Sequence, residues 1–105
     1  MSRKAQLLEF LQASPKDDFL NYALAQEYIS EGNDAEAEAL FLQLLEWHPD
    51  YIATYYHLGK LTERKGQKEQ AMEIYRRGIE RAKAKREQHS LSELQSALLE
   101  LEYED

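Results

Sequence analysis

The sequence predicts an all-α protein of stacked antiparallel helix hairpins, a helical-repeat solenoid of about six helices. Two observations predict it. Shifting the chain by 34 residues lays Tyr22 on Tyr56, Leu24 on Leu58, Ala25 on Gly59, Gly32 on Gly66, Ala37 on Ala71, Phe41 on Tyr75, Leu45 on Ile79 and Pro15 on Pro49. A fixed period of that length means a supersecondary unit that buries its apolar face against the next copy. The second observation is composition: only four Gly and two Pro in 105 residues leave room for long helices.

Each element has a local reason. Residues 3–14 carry Leu7, Phe10 and Leu11 on one side of a short amphipathic helix, which the same shift lays on Phe41, Leu44 and Leu45. This segment reads as a capping half-repeat. Ser14, Pro15, Asp17 and Asp18 mark the start of repeat one, spanning 15–49, with acids at the positive end of a helix from about Asp17 to Glu31. Leu24, Ala25 and Tyr28 form its apolar stripe; Ala37, Phe41 and Leu44 form that of the partner helix, about Asp34 to Trp47. Gly32 supplies a left-handed stop between them, Asn33 with Glu36 a cap, and Pro49 ends the unit.

Repeat two spans 50–88, with a helix from near Asp50 to Arg64 and a partner beginning at Lys68. Nothing stops that partner at Lys83, so it is expected to run to about Gln88, with surface pairs Glu73–Arg77, Arg76–Glu80 and Lys83–Glu87. Ser90 with Glu93 then reads as a capping box for a last helix within 90–105, reaching about Tyr103. Its stripe of Leu91, Leu94, Leu98 and Leu101 is widened by Ala97 and Leu99. Such breadth fits a helix folded across the last repeat; the alternative is a dimer seam made by Leu91, Leu94, Leu98, Leu99 and Leu101.

The 34-residue period and its small-large-small pattern resemble the tetratricopeptide repeat (TPR) family. Leu24, Ala25, Tyr28, Ala37, Phe41 and Pro49 match in the first copy, and Leu58, Gly59, Ala71 and Tyr75 in the second. Asn21 and Tyr55 stand where the family often has Trp, Thr62 where it has Tyr, Gly78 where it has Ala, and Lys83 where it has the closing Pro. The resemblance implies a right-handed solenoid of helix hairpins whose concave groove is lined by the first helix of each repeat. It places Phe19, Tyr22, Ala23, Gln26 and Ser30 there in the first repeat, and Ala53, Tyr56, His57, Lys60 and Arg64 in the second. Tyrosines, a histidine and two cations suit an extended peptide, with Lys60 and Arg64 able to hold an acidic side chain or a carboxylate. The family's clamp for C-terminal carboxylates is not expected. Tyr22 and Gln26 occupy its first two positions, His57 stands in the second repeat, and no third repeat completes it.

The remaining composition narrows the function classes. A single domain is expected from the length. No cysteine means no disulfide and no Cys-based metal or redox site, which fits a cytoplasmic protein. Net charge is −7, unevenly spread: residues 1–50 balance at −7, 51–90 at +5 and 91–105 at −5. The basic island invites three explanations: the acidic last helix packing back over it, head-to-tail association, or an acidic partner. Nucleic acid fits poorly, because Glu63, Glu69, Glu73 and Glu80 interrupt the cations and no loop of stacking aromatics accompanies them. No run approaches the ~18 apolar residues of a membrane span, and Glu9 breaks the N-terminal apolar run too early for a secretory signal.

Catalysis has little material. His48, His57 and His89 lack the spacing of a helical metal pair, no Gly-rich phosphate loop occurs, and the serines have ready places in caps and exposed faces. A non-catalytic binding module without cofactor is therefore expected, monomeric or weakly dimeric, its partner a protein or peptide. The initial Met and acidic tail, Glu102 to Asp105, read as those of a complete small protein.

Overall fold

A computed structural model describes residues 2–104; Met1 and Asp105, the last residue of the expected 90–105 capping segment, lie outside the described residues. Six helices and no strand occur among them: α1 (Arg3–Ala13), α2 (Asp18–Ser30), α3 (Asp34–Trp47), α4 (Ala53–Arg64), α5 (Lys68–Lys85) and α6 (Gln88–Glu102). The chain divides into two compact units, Met1–Tyr51 and Ile52–Asp105.

In the first unit α2 packs on both α1 and α3. The Asp17 carboxylate accepts the Leu20 amide at 2.8 Å and so caps α2. Gly32, at φ +77°, turns the chain, and Asn33 Oδ1 accepts the Glu36 amide at 3.3 Å to open α3. The core is Leu7, Ala23, Leu24, Ala25, Ala37, Phe41 and Leu44. Phe10, expected beside Leu7, is instead 62% exposed. Asn21, at the position often held by Trp, is buried, and its side-chain amide donates to the Pro15 and Asp17 carbonyls at 3.0 and 2.7 Å. Burial costs that amide little because both bonds are made.

In the second unit α4 and α5 form the hairpin and α6 packs on both. Two of its glycines admit rings. A Cβ on Gly59 would stand 2.2 Å from Tyr75 Cε1, and one on Gly78 2.6 Å from Tyr55 Cβ. The two units solve one packing problem with opposite partners. Repeat one has a small residue, Asn21, and a large one, Leu44, at the positions where repeat two sets large Tyr55 against Gly78. Thr62 is buried and bonds the Leu58 carbonyl at 2.7 Å, satisfying its hydroxyl within its own helix.

Three boundaries differ from expectation. α4 starts at Ala53, after Tyr51 closes a turn onto the His48 carbonyl at 3.0 Å. α5 stops at Lys85 because Arg86 adopts the left-handed conformation, φ 59°, with the Glu87 amide bonding back to Ala82 at 3.0 Å. This is a glycine-type stop made by an arginine, so no glycine signals it. α6 accordingly begins at Gln88, which puts Ser90 inside the helix and dissolves the expected Ser90–Glu93 capping box. The surface pairing on α5 also differs: Glu73 meets Arg76 at 3.9 Å, while the Arg77 guanidinium lies 6.0 Å from the Tyr55 ring centre.

Candidate functional site

On α2, Phe19, Tyr22, Gln26 and Ser30 share the exposed side. Successive turns link them: Gln26 Nε2 donates to the Tyr22 hydroxyl at 3.3 Å, and the Ser30 hydroxyl to the Gln26 carbonyl at 3.2 Å. The Tyr22 ring tilts against Tyr51 with centres 5.6 Å apart. Ala23, expected with this group, is 2% exposed and belongs to the core. These bonds hold Tyr22 as a fixed wall and leave Phe19 half in solvent.

The second unit carries the more developed surface, where α6 runs beside α4. Glu93, Ser96 and Glu100 recur every three or four positions, and Ser92 lies one turn before Ser96, so the four form one stripe of α6. Together with Tyr56 and Lys60 of α4 they border an open cavity of about 300 Å³. A second cavity of about 160 Å³ adjoins it, bordered by Ile52, Ala53, His57, Ser90 and Leu94. Tyr56 and Glu93 border both. The cleft thus has an apolar floor of Ala53, Leu94 and Ala97 and a charged rim.

The Tyr56 ring stands edge-on to His57, centres 5.3 Å apart, and 6.5 Å from Tyr75. Behind it the Tyr75 hydroxyl donates to Glu63 Oε2. Burial, and then that bond to Glu63, push the Tyr75 phenol far above its ordinary range, so it stays a donor. Lys60 Nζ lies 3.7 Å from Glu63 and 5.6 Å from the Tyr56 ring centre. Glu93 lies 3.7 Å from the exposed His89 imidazole. Arg64, expected beside Lys60, is exposed at the end of α4 and borders neither cavity.

His57 is held below the usual histidine pKa by burial, with Glu93 pulling it upward. The unfolded chain therefore takes up this proton at a higher pH than the folded chain does. Stability from this group is complete above the ordinary value of 6.5 and is lost as pH falls below it. The urea midpoint of the wild type is expected to drop more between about pH 7.5 and 5.5 than that of His57→Gln, and parallel profiles would contradict this assignment.

Of the five leucines considered for a dimer seam, Leu94 and Leu101 lie inside the second unit, Leu91 and Leu98 are half-buried, and Leu99 is 52% exposed. The residues that sequence reading missed are Ser92, Glu93, Ser96 and Glu100. Their signal was present as a polar stripe, but α5 runs 18 residues against 14 for α3, and the 34-residue shift loses register before α6. Among the described residues no group of three or more His, Asp or Glu is placed to hold a metal ion, and no helix is long and apolar enough to cross a membrane.

The hairpin geometry has its counterpart in known proteins. The sequence profile of the tetratricopeptide repeat matches residues 20–51 and again 52–85. The second match begins where the second compact unit does. The chain belongs to the tetratricopeptide repeat family, whose repeats generally mediate protein–protein interaction and whose fold is typically a non-catalytic scaffold. It is similar to a tetratricopeptide repeat domain protein from Salinibacter ruber. The crystal structure of that protein is 48% identical over 85% of this chain and 99% of its own, with TM-score 0.82. Its solution structure, also 48% identical, covers 87% and 92% with TM-score 0.83. A Bordetella parapertussis protein, 22% identical over 96% of this chain and 88% of its own, shares the fold with TM-score 0.81. No curated protein matches the sequence.

Proposed function

We propose that the chain is a non-catalytic interaction module that captures an extended peptide segment, with the α4/α6 cleft of the second unit as its working surface. The observation that carries this reading is the pair of adjoining cavities sharing Tyr56 and Glu93, about 300 and 160 Å³. Two neighbouring recesses match the alternate side chains of an extended segment, and a ring between them gives each an apolar wall. Phe19, Tyr22, Gln26 and Ser30 are the corresponding accessible side chains of the first unit. A cytoplasmic setting fits the absence of cysteine.

The test is selection from a displayed library of random peptides against the wild type, followed by measurement of each clone on Tyr56→Ala. A central aromatic wall of an interface typically costs about 2 kcal/mol when truncated, so affinity should fall about 30-fold while helicity is retained. Clones that bind the variant as tightly as the wild type would remove the cleft from the account.

A further inference from the structure

We infer that the segment this cleft takes bears a basic side chain, an arginine or lysine, seated over Tyr56 with its charge between Glu93 and Glu100. The inference rests on the peptide-binding reading above and adds the sign of the ligand. Sequence alone pointed to the opposite sign, because Lys60 and Arg64 stand one turn apart on α4. Geometry changes the balance. Lys60 is already met by Glu63 at 3.7 Å, and Arg64 borders neither cavity.

Apart from Lys60 and His89, the charged side chains that border the larger cavity are the carboxylates Glu93 and Glu100. Glu93 and Glu100 lie two helical turns apart on α6, and both border the larger cavity. Glu93 lies 3.7 Å from the exposed His89 imidazole and also faces His57, and among the described residues Glu100 has no ion-pair partner. The field of Glu100 reaches inward as far as the Tyr75 phenol. Tyr56 borders the same cavity as both carboxylates, and the π-face of its ring attracts cations; Lys60 already lies over it at 5.6 Å. Ala97 gives the aliphatic stem of a lysine or arginine an apolar bed while its head reaches the carboxylates. A ligand carboxylate in the same place would meet two like charges and would have to compete with Glu63 for Lys60.

The experiment is an amide chemical-shift titration of the full chain with three peptides of one sequence, differing only in a central arginine, citrulline or glutamate. The arginine peptide should shift amides of residues 56–60 and 92–100, and citrulline, its neutral near-isostere, should bind at least threefold more weakly. Glu93→Gln and Glu100→Gln should each weaken the arginine peptide about three- to tenfold. Glu73→Gln, which removes the same charge from the exposed side of α5, should not. Lys60→Gln should tighten it, whereas a carboxylate-binding site predicts loss. Equal binding of the citrulline peptide, or tighter binding of the glutamate peptide, overturns the sign of the ligand and leaves peptide binding standing. If these amides move with none of the three peptides nor with a library-selected one, both readings fall.

Discussion

Gly59→Ala is expected to destabilise the second unit by about 3 kcal/mol, the upper end of the usual cost of overpacking a core. The added methyl would stand 2.2 Å from Tyr75 Cε1 and 2.7 Å from Cδ1 and Cζ. The ring has nowhere to go, being fully buried with its hydroxyl bonded to Glu63. Repeat one holds Ala25 and Phe41 at the equivalent positions. Removing that methyl in repeat two is what lets a tyrosine enter deeply enough to reach Glu63. Gly32→Ala separates packing from backbone effects: at φ +77° with nothing within 4 Å, it should cost about 1 kcal/mol. Urea midpoints of the two variants decide the matter. Equal losses would mean that Gly59 serves the backbone and not Tyr75.

Phe41→Ala should cost still more, about 3–5 kcal/mol, the range found when a fully buried ring is truncated. Phe41 is 0% exposed and is the largest side chain in the core of the first unit. Stability of a small domain is itself only about 5–15 kcal/mol, so this substitution should leave a substantial unfolded population at modest denaturant. Phe10→Ala changes the same residue type on a surface, 62% exposed, and should stay within about 0.5 kcal/mol. A small loss at Phe41 would show that the hairpin is not held by its small-large-small packing.

The repeat was legible because its signals are local and duplicated. Gly32 and Gly66 both take φ +77°, as a helix stop between hairpin arms requires, and α3 begins and ends at the residues expected of it. The failures near the C-terminal end share one cause. Arg86 turns the chain by adopting a conformation that its residue type does not announce, and the end of α5, the start of α6 and the cap expected at Ser90 moved with it. For the candidate site, Tyr56, His57 and Lys60 of α4 could be named from sequence because they repeat positions of α2. Lys60 reads as an anchor in sequence although Glu63, one turn on in α4, lies 3.7 Å from it; what only the fold shows is that α6 brings Glu93 and Glu100 to the same cavity.

Hydrogen–deuterium exchange of the full chain with and without a library-selected peptide decides whether the α4/α6 cleft is the working surface. A peptide seated there should add protection in Ala53–Lys60 and Gln88–Glu100, on the two helices that border the cleft. Protection confined to α5 would contradict it and move the working surface to the basic helix.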